Sequence, residues 1–351
     1  MPIKKTSVAV YLDDDETADG KDHVNSYTLG EVLGKGSTGT VRRCISQEDG
    51  VEYVMKSMSK RKLLRSKEPA GVSADGSGTV LYITGLERAY REIKIMSQLN
   101  HVNLLQLFEV IDDPNNDALS MVMEYMPGGA LMRYQHRDRC FVPAVASAAH
   151  VALLMRDLLR GLEAMHAAGV CHRDIKPENC LLKAAGLLKI GDFGCAEHFP
   201  RESNPGAIVS HTAGTPAFWA PECICPATGG LDLGLDMDGL ALGEAKDGGI
   251  GGKEDDGDDM NGDQGAGMSS QFSCYSADCW AAGALLYCLV YARPPFASDE
   301  PLVLFDLIAS APLHTEPHDN LFPGALEVLR GLLDKDPTLR WTVADALAAL
   351  Q

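Results

Sequence analysis

His172-Arg173-Asp174-Ile175-Lys176-Pro177-Glu178-Asn179 is followed by Asp192-Phe193-Gly194. Five specified residues at fixed spacing arise by chance in a chain of this length at about 10⁻⁴, before the second triplet is counted. Each residue type also has a chemical use. Asp174 can accept or orient the proton of an attacking hydroxyl. Asn179 and Asp192 offer hard oxygens to Mg2+, an ion that takes few protein ligands and shares its shell with phosphate. Lys176 sets positive charge where a transferred group becomes most anionic.

Upstream, Gly34-Lys35-Gly36-Ser37-Thr38-Gly39-Thr40-Val41 carries the pattern G-x-G-x-x-G-x-V. Glycine triplets also open dinucleotide folds, but there a helix follows, whereas here strand-like residues flank the glycines on both sides. A hairpin tip stripped of side chains lets backbone amides approach phosphate oxygens, though a merely flexible hairpin would carry the same glycines. Lys56 lies in Tyr53-Val54-Met55-Lys56 on a following strand, and Glu92 lies on an apolar-periodic helix further on. Together they could hold an ammonium towards two phosphates, although a strand lysine is ordinarily a solvated charge.

Around these stretches the chain divides in two. Residues 27–29, 39–44 and 52–57 read as antiparallel strands, with Glu48-Asp49-Gly50 as a turn. Residues 66–85, rich in Gly and Ser, read as a loop before a helix over 86–99, where Leu86, Ala89, Ile93 and Met96 recur at helical spacing. Two more strands, 104–111 and 119–125, are joined by an Asp-Pro-Asn-Asn turn. Beyond Pro127-Gly128-Gly129 the pattern turns helical, with a stripe from Val151 to Met165 that ends at Gly169. Further helices are expected at 276–291, 302–310, 325–333 and 343–350. A strand-rich small half, 25–126, thus precedes a mainly helical large half, 127–351.

The 351 residues carry a net charge of −18, and that charge is localised. Residues 13–22 contribute −5 and residues 231–263 contribute −9, so the remainder carries only −4. Residues 1–24 read as a disordered acidic tail, and a disordered acidic, Gly-rich insertion is expected at about 226–272, where too little apolar area exists to offset the ordering entropy. No polyanion-binding surface, and hence no nucleic-acid partner, is expected. The longest charge-free apolar run, 281–292, is twelve residues, short of the roughly 18 to 20 that cross a bilayer. The start lacks a hydrophobic signal core, so a cytoplasmic or nuclear location without membrane association is the expectation. Ten scattered cysteines suit a reducing compartment. Cys223, Cys225, Cys274 and Cys279 flank the insertion, but not at the spacings of a familiar zinc module.

The motifs together resemble a eukaryotic protein kinase over roughly residues 27–350, and the roles given above coincide with the general kinase template. The resemblance implies an α+β fold with an antiparallel-sheet N-lobe bearing one regulatory helix, and a mainly helical C-lobe. It implies ATP and Mg2+ as cofactors, with Asn179 and Asp192 holding the metal. Catalytic residues by this analogy are Asp174, Lys176, Asn179, Lys56, Glu92 and Thr215. The nucleotide would meet Leu33, Gly34, Lys35, Gly36, Ser37, Thr38 and Gly39, with Lys56 and Asp192 at the phosphates. Adenine would lie between Val41 and Val54 above and Leu181 below, bonding to backbone at Glu124 and Met126 beside the gatekeeper Met123. Gly214-Thr215-Pro216 and Ala220-Pro221-Glu222 close the family's activation segment, Glu222 pairs with Arg340, and Met96, Leu107, His172 and Phe193 form a spine anchored by Asp278.

Lys176 two residues after Asp174, with Thr215, resembles the serine/threonine branch. Lys60-Arg61-Lys62-Leu63-Leu64-Arg65, Tyr90-Arg91-Glu92-Ile93 and Gly214-Thr215-Pro216-Ala217-Phe218 resemble the calcium/calmodulin-dependent protein kinase kinases and related activators of AMP-activated and sugar-sensing kinases. Protein substrates are then expected, namely activation-loop threonines of other kinases. The alternatives are a kinase of another calmodulin-dependent-like group, or a pseudokinase scaffold, against which the presence of Lys56, Asp174 and Asp192 argues. Ala130 occupies a position where Arg-directed kinases carry a glutamate. Val54 replaces the usual alanine over adenine. His211 stands where many kinases place a phosphorylatable threonine, and Thr212 is one residue out of register, so activity without activation-loop phosphorylation is expected. No basic amphipathic segment follows the last core helix, so calmodulin is not an expected partner.

Overall fold

The computed structural model describes residues 3–12, 22–36, 39–72, 80–135, 138, 140–143, 147–199, 215–224 and 274–350. The insertion at about 226–272 lies outside the described residues, as do Ser37, Thr38, His211 and Thr212.

The small lobe is built around an eight-stranded sheet. Its strands are β1 (Lys4–Thr6), β2 (Tyr11–Leu12), β3 (His23–Val24), β4 (Tyr27–Lys35), β5 (Gly39–Ser46) and β6 (Glu52–Ser59). Helix α1 (Lys60–Arg65), the strands β7 (Lys67–Val72) and β8 (Val80–Thr84) and helix α2 (Gly85–Gln98) come next, before β9 (Leu107–Asp112) and β10 (Ala118–Glu124) complete the sheet. The order across it is β1-β9-β10-β6-β5-β4-β3-β2, antiparallel apart from the β1–β9 edge. The β5–β6 register sets Val41 opposite Lys56, and the β6–β10 register sets Val54 opposite Met123. Helix α2 starts from a capping box in which Thr84 and Glu87 satisfy each other's backbone N–H groups, worth about 1 kcal/mol. It buries Ala89, Ile93, Ile95 and Met96, and with them Glu92.

Two sequence expectations fail in this lobe. The tail expected to be disordered over 1–24 supplies β1, β2 and β3; only residues 13–21 of its interior, with 1–2, lie outside the described residues. β1 pairs with β9 across a separation of more than a hundred residues, Lys4 opposite Glu109, so no local periodicity announces it. Glu109 is the anchor: buried, it accepts hydrogen bonds from the Tyr27 hydroxyl (2.8 Å) and Thr6 Oγ1, and meets Lys4 Nζ at 3.4 Å. Likewise the loop expected over 66–85 contains the antiparallel pair β7–β8; its residues 73–79 lie outside the described residues.

The large lobe opens with β11 (Gly129–Ala130), β12 (Met132–Gln135) and β13 (Cys140–Pro143) before α3 (Ala148–Ala167). The β12–β13 hairpin is a correction to the expectation that the pattern turns helical directly after Gly129. The short strands β14 (Val170–Cys171), β15 (Cys180–Leu182), β16 (Leu188–Ile190) and β17 (Glu197–His198) then bracket the motif residues. Helices α4 (Cys274–Tyr291), α5 (Pro301–Ser310), α6 (Ala325–Leu332) and α7 (Val343–Ala349) complete it, close to the expected positions. The expected Val151–Met165 stripe of α3 is fully buried, and α4 is buried on all sides from Asp278 to Val290. A helix apolar all round must sit inside the core, and this one does. Among the described residues, no helix is long and apolar enough to cross a membrane.

Candidate active site

The strand β14 delivers His172-Arg173-Asp174 from the core, and the backbone there is held from below. Asp278, on buried α4, accepts from the His172 N–H (2.9 Å) and the Arg173 N–H (2.8 Å), and its Oδ2 also meets His166 Nε2 at 2.8 Å. Burial works against that carboxylate's charge, but the His166 hydrogen bond and the neighbouring N–H donors more than offset it and hold Asp278 below the usual carboxylate range. Arg173 takes φ +68° and Asp192 φ +56°. Side-chain-bearing residues seldom adopt this left-handed region unless their surroundings impose it, and such residues cluster at active sites. His172 Nε2 bonds to the Gly191 carbonyl (3.0 Å), and its ring lies 5.6 Å from that of Phe193. Met96, Leu107, His172 and Phe193, the expected spine, are all buried.

Four donors surround the Asp174 carboxylate. Oδ2 accepts from Lys176 Nζ (2.7 Å) and Asn179 Nδ2 (2.9 Å), while Oδ1 accepts from the Thr215 N–H (3.0 Å) and its hydroxyl (3.3 Å). Lys176 also donates to Thr215 Oγ1 at 2.9 Å, tying the catalytic loop to the segment after residue 214. Asn179 Nδ2 donates a second bond to the Asp174 carbonyl (2.8 Å). With the amide nitrogen so committed, Asn179 turns its carbonyl oxygen away, leaving a hard acceptor for a cation. Asp192 is exposed and, among the described residues, its side chain accepts only a long contact from the Gly194 N–H, 3.4 Å, through Oδ1.

From above, Lys56 Nζ meets both oxygens of buried Glu92, at 2.9 and 3.1 Å. Burial opposes the ammonium charge, yet the Glu92 carboxylate, with Asp192 beyond it, raises the Lys56 pKa above the ordinary lysine value. The two motifs that sequence spacing left separate are thus in one cleft.

The glycine hairpin distinguishes packing from ligand demands. A Cβ on Gly39 would clash with the Ser57 carbonyl oxygen, so β5–β6 pairing itself requires that glycine. Among the described residues, a Cβ on Gly34 would meet nothing within 4 Å, and one on Gly36 only the Gly39 carbonyl at 3.9 Å. Neither has a left-handed φ. Packing among the described residues does not require glycine at 34 and 36, and the space beside them there is what an approaching phosphate needs. Leu33 and Lys35 are exposed on the same hairpin, Met123 and Met126 are buried, and Val41, Val54 and Leu181 are half-buried.

Glu124 and Glu197 were not assigned these side-chain contacts from sequence. Glu124, expected to act only through its backbone, bonds through its carboxylate to Lys183 (2.6 Å) and meets buried Lys189 at 2.8 Å, joining the interlobe connection to β15 and β16. Glu197 contacts Arg173, and no spacing rule points to it. The Glu222–Arg340 pair is present as expected, bidentate at 2.6 and 2.8 Å, with the arginine fully buried.

A lysine–glutamate pair over a carboxylate braced by Lys176, Asn179 and Thr215, with a glycine hairpin overhead, defines a two-lobed phosphotransferase. Residues 27–243 match the protein kinase domain family. Serine/threonine-protein kinase GRIK2 of Arabidopsis thaliana is 30% identical over 343 residues, covering 98% of this chain and 68% of the relative. A calcium/calmodulin-dependent protein kinase kinase of Caenorhabditis elegans is 30% identical over 319 residues, 90% of this chain and 50% of the relative. Serine/threonine-protein kinase TOS3 of Saccharomyces cerevisiae is 26% identical over 344 residues, with 92% and 52% covered. The chain belongs to the protein kinase family, and its relatives mark it as a serine/threonine kinase, which uses ATP with a divalent metal.

Proposed function

We propose that this kinase transfers the γ-phosphoryl group of Mg-ATP to threonines in the activation segments of other kinases. The observation that carries the chemistry is the bracing of Asp174. Its Oδ2 is committed to Lys176 and Asn179, while the Thr215 hydroxyl on Oδ1 is the longest of the four contacts, at 3.3 Å. An incoming substrate hydroxyl can take that place, donate to Oδ1 and be oriented for attack. Lys176, 2.7 Å from the same carboxylate, carries positive charge to the transferring group, and Lys56 does so from the other side of the cleft. Asn179 and Asp192 would hold Mg2+, which when bound neutralises charge between the phosphates. Gly34 and Gly36 leave room for the phosphates, with Val41, Val54 and Leu181 around the base. The chain's own contribution is positioning and electrostatics, as a loose transition state requires.

Substrate choice rests on less. The similarity to a calcium/calmodulin-dependent protein kinase kinase and to the GRIK kinases supports kinase substrates, and Ala130 supplies no carboxylate for a substrate arginine. Nine free cysteines among the described residues suit action in a reducing compartment, the cytoplasm or nucleus. An array that sets peptides from kinase activation segments beside arginine-containing peptides tests this reading. Preferential phosphorylation of threonine in the first set is expected; a preference for the arginine set would overturn the substrate assignment.

A further inference from the structure

Glu197 lies on β17, directly opposite Cys171 on β14, the strand that leads into Arg173 and Asp174. Its carboxylate spans two cations from different lobes. Oε2 contacts Arg173 Nη1, and Oε1 lies 3.8 Å from Arg91 Nη1. Arg91 precedes Glu92 on α2, and Glu92 holds Lys56. Arg173 precedes Asp174, and its side chain is only 10% exposed. A guanidinium so far removed from water needs an anion nearby, because burying an uncompensated charge is costly. In kinases switched on by phosphorylation, arginines of this kind are paired by a phosphate on the activation segment. Here a carboxylate encoded in the chain already occupies such a place.

We propose that Glu197 is a positioning residue that substitutes for an activation-segment phosphate, neutralising Arg173 and tethering α2 through Arg91. The tether links the two halves of the cleft: Lys56–Glu92 follows α2, and Asp174 follows the backbone of Arg173. It keeps α2 placed so that Lys56 and Glu92 pair, and it goes with His211 standing where a phosphorylatable threonine is common. The inference rests on the kinase reading above, in which Asp174 and Lys56 serve phosphoryl transfer.

The test is steady-state kinetics of the full chain, phosphatase-treated and shown phosphate-free by intact mass, with Mg-ATP and dephosphorylated casein as acceptor. Glu197→Gln should lower kcat at least about fivefold, the scale of a typical coupling between sites, with KM for ATP within about twofold and an unchanged melting temperature. Glu197→Asp, which keeps the charge, should retain intermediate activity. Arg91→Gln should lower kcat less, and Glu197→Gln with Arg91→Gln should be no worse than Glu197→Gln alone, because the tie is cut once. Should Glu197→Gln fail to fold, Arg91→Gln on an exposed side chain carries the same test, with lowered kcat expected. An active wild type matched by a folded Glu197→Gln overturns this inference alone, as does an unchanged kcat in Arg91→Gln where Glu197→Gln does not fold. A wild type that transfers nothing overturns the kinase reading and this inference with it.

Discussion

Replacing Arg340 with methionine is the severest single change the large lobe offers outside the cleft. The guanidinium donates to both oxygens of Glu222 (2.6 and 2.8 Å), to the Asp334 carbonyl (2.9 Å), and to the Ser276 carbonyl and hydroxyl (3.0 and 3.1 Å). It also lies 5.1 Å from the centroid of the Trp280 ring. Methionine roughly fills the volume but leaves the Glu222 carboxylate, 6% exposed, without its countercharge. Stranding one partner of a buried pair costs about 3–5 kcal/mol. At about 2–4 °C per kcal/mol for a domain of this order, the melting temperature should fall by roughly 6–20 °C. Glu222 closes the segment that begins at Thr215, so KM for a protein substrate should rise as well. The double variant Arg340→Met, Glu222→Leu removes both charges and should recover most of the lost stability, since a buried pair is worth far less than the cost of breaking it. Thermal melts of the two single variants and the double variant decide the matter. A loss under about 1 kcal/mol for Arg340→Met, or a double variant losing the sum of the singles, would refute the reasoning.

Three further outcomes are expected. Glu92→Gln removes the charge partner of Lys56 and should lower kcat/KM about 10- to 100-fold, the equivalent of a charged hydrogen bond; unchanged kinetics would show that the pair has no part in transfer. Gly39→Ala should destabilise the fold by about 1–3 kcal/mol because its Cβ meets the Ser57 carbonyl, whereas Gly34→Ala should leave the melting temperature unchanged and raise KM for ATP; the reverse pattern would contradict the division of roles between the glycines. For Asp278 the folded-state pKa is lowered, so its stabilisation is present above the unfolded carboxylate value of about 3.9 and is lost as pH falls through the folded value. Melting temperatures of wild type and Asp278→Asn should therefore differ most near neutrality and converge in acid, and a gap that widened in acid would contradict the assignment.

What could be read in the sequence follows from how far apart the interacting groups lie along the chain. The strands β5 and β6 announce themselves because they are neighbours joined by a tight turn, and α3 because its stripe repeats within one helix. β1 does not, since it is only three residues long and its partner strand lies more than a hundred residues away. The β12–β13 hairpin is hard to read because the alternation in Met132–Gln135 lasts only four residues and no Gly, Pro or Asn marks the turn before Cys140. In the cleft, Asp174, Lys176, Asn179 and Asp192 were legible as a spaced motif, but their convergence on Lys56 and Glu92 was known only through resemblance. Glu197 was not legible at all. Its meaning depends on two arginines brought to it by α2 and by the β14–β17 pairing, and nothing in Cys195-Ala196-Glu197 marks it.

The central claim is that Asp174 orients a protein hydroxyl for attack on bound nucleotide. Transfer of ³²P from γ-labelled Mg-ATP to an acceptor protein, measured for wild type and Asp174→Asn beside their ATP affinities, tests it most directly. Wild type should label the acceptor, and the variant should bind ATP while turning over at least ~10²-fold more slowly. Equal labelling by the two proteins, or no labelling by a wild type that binds ATP, would contradict it.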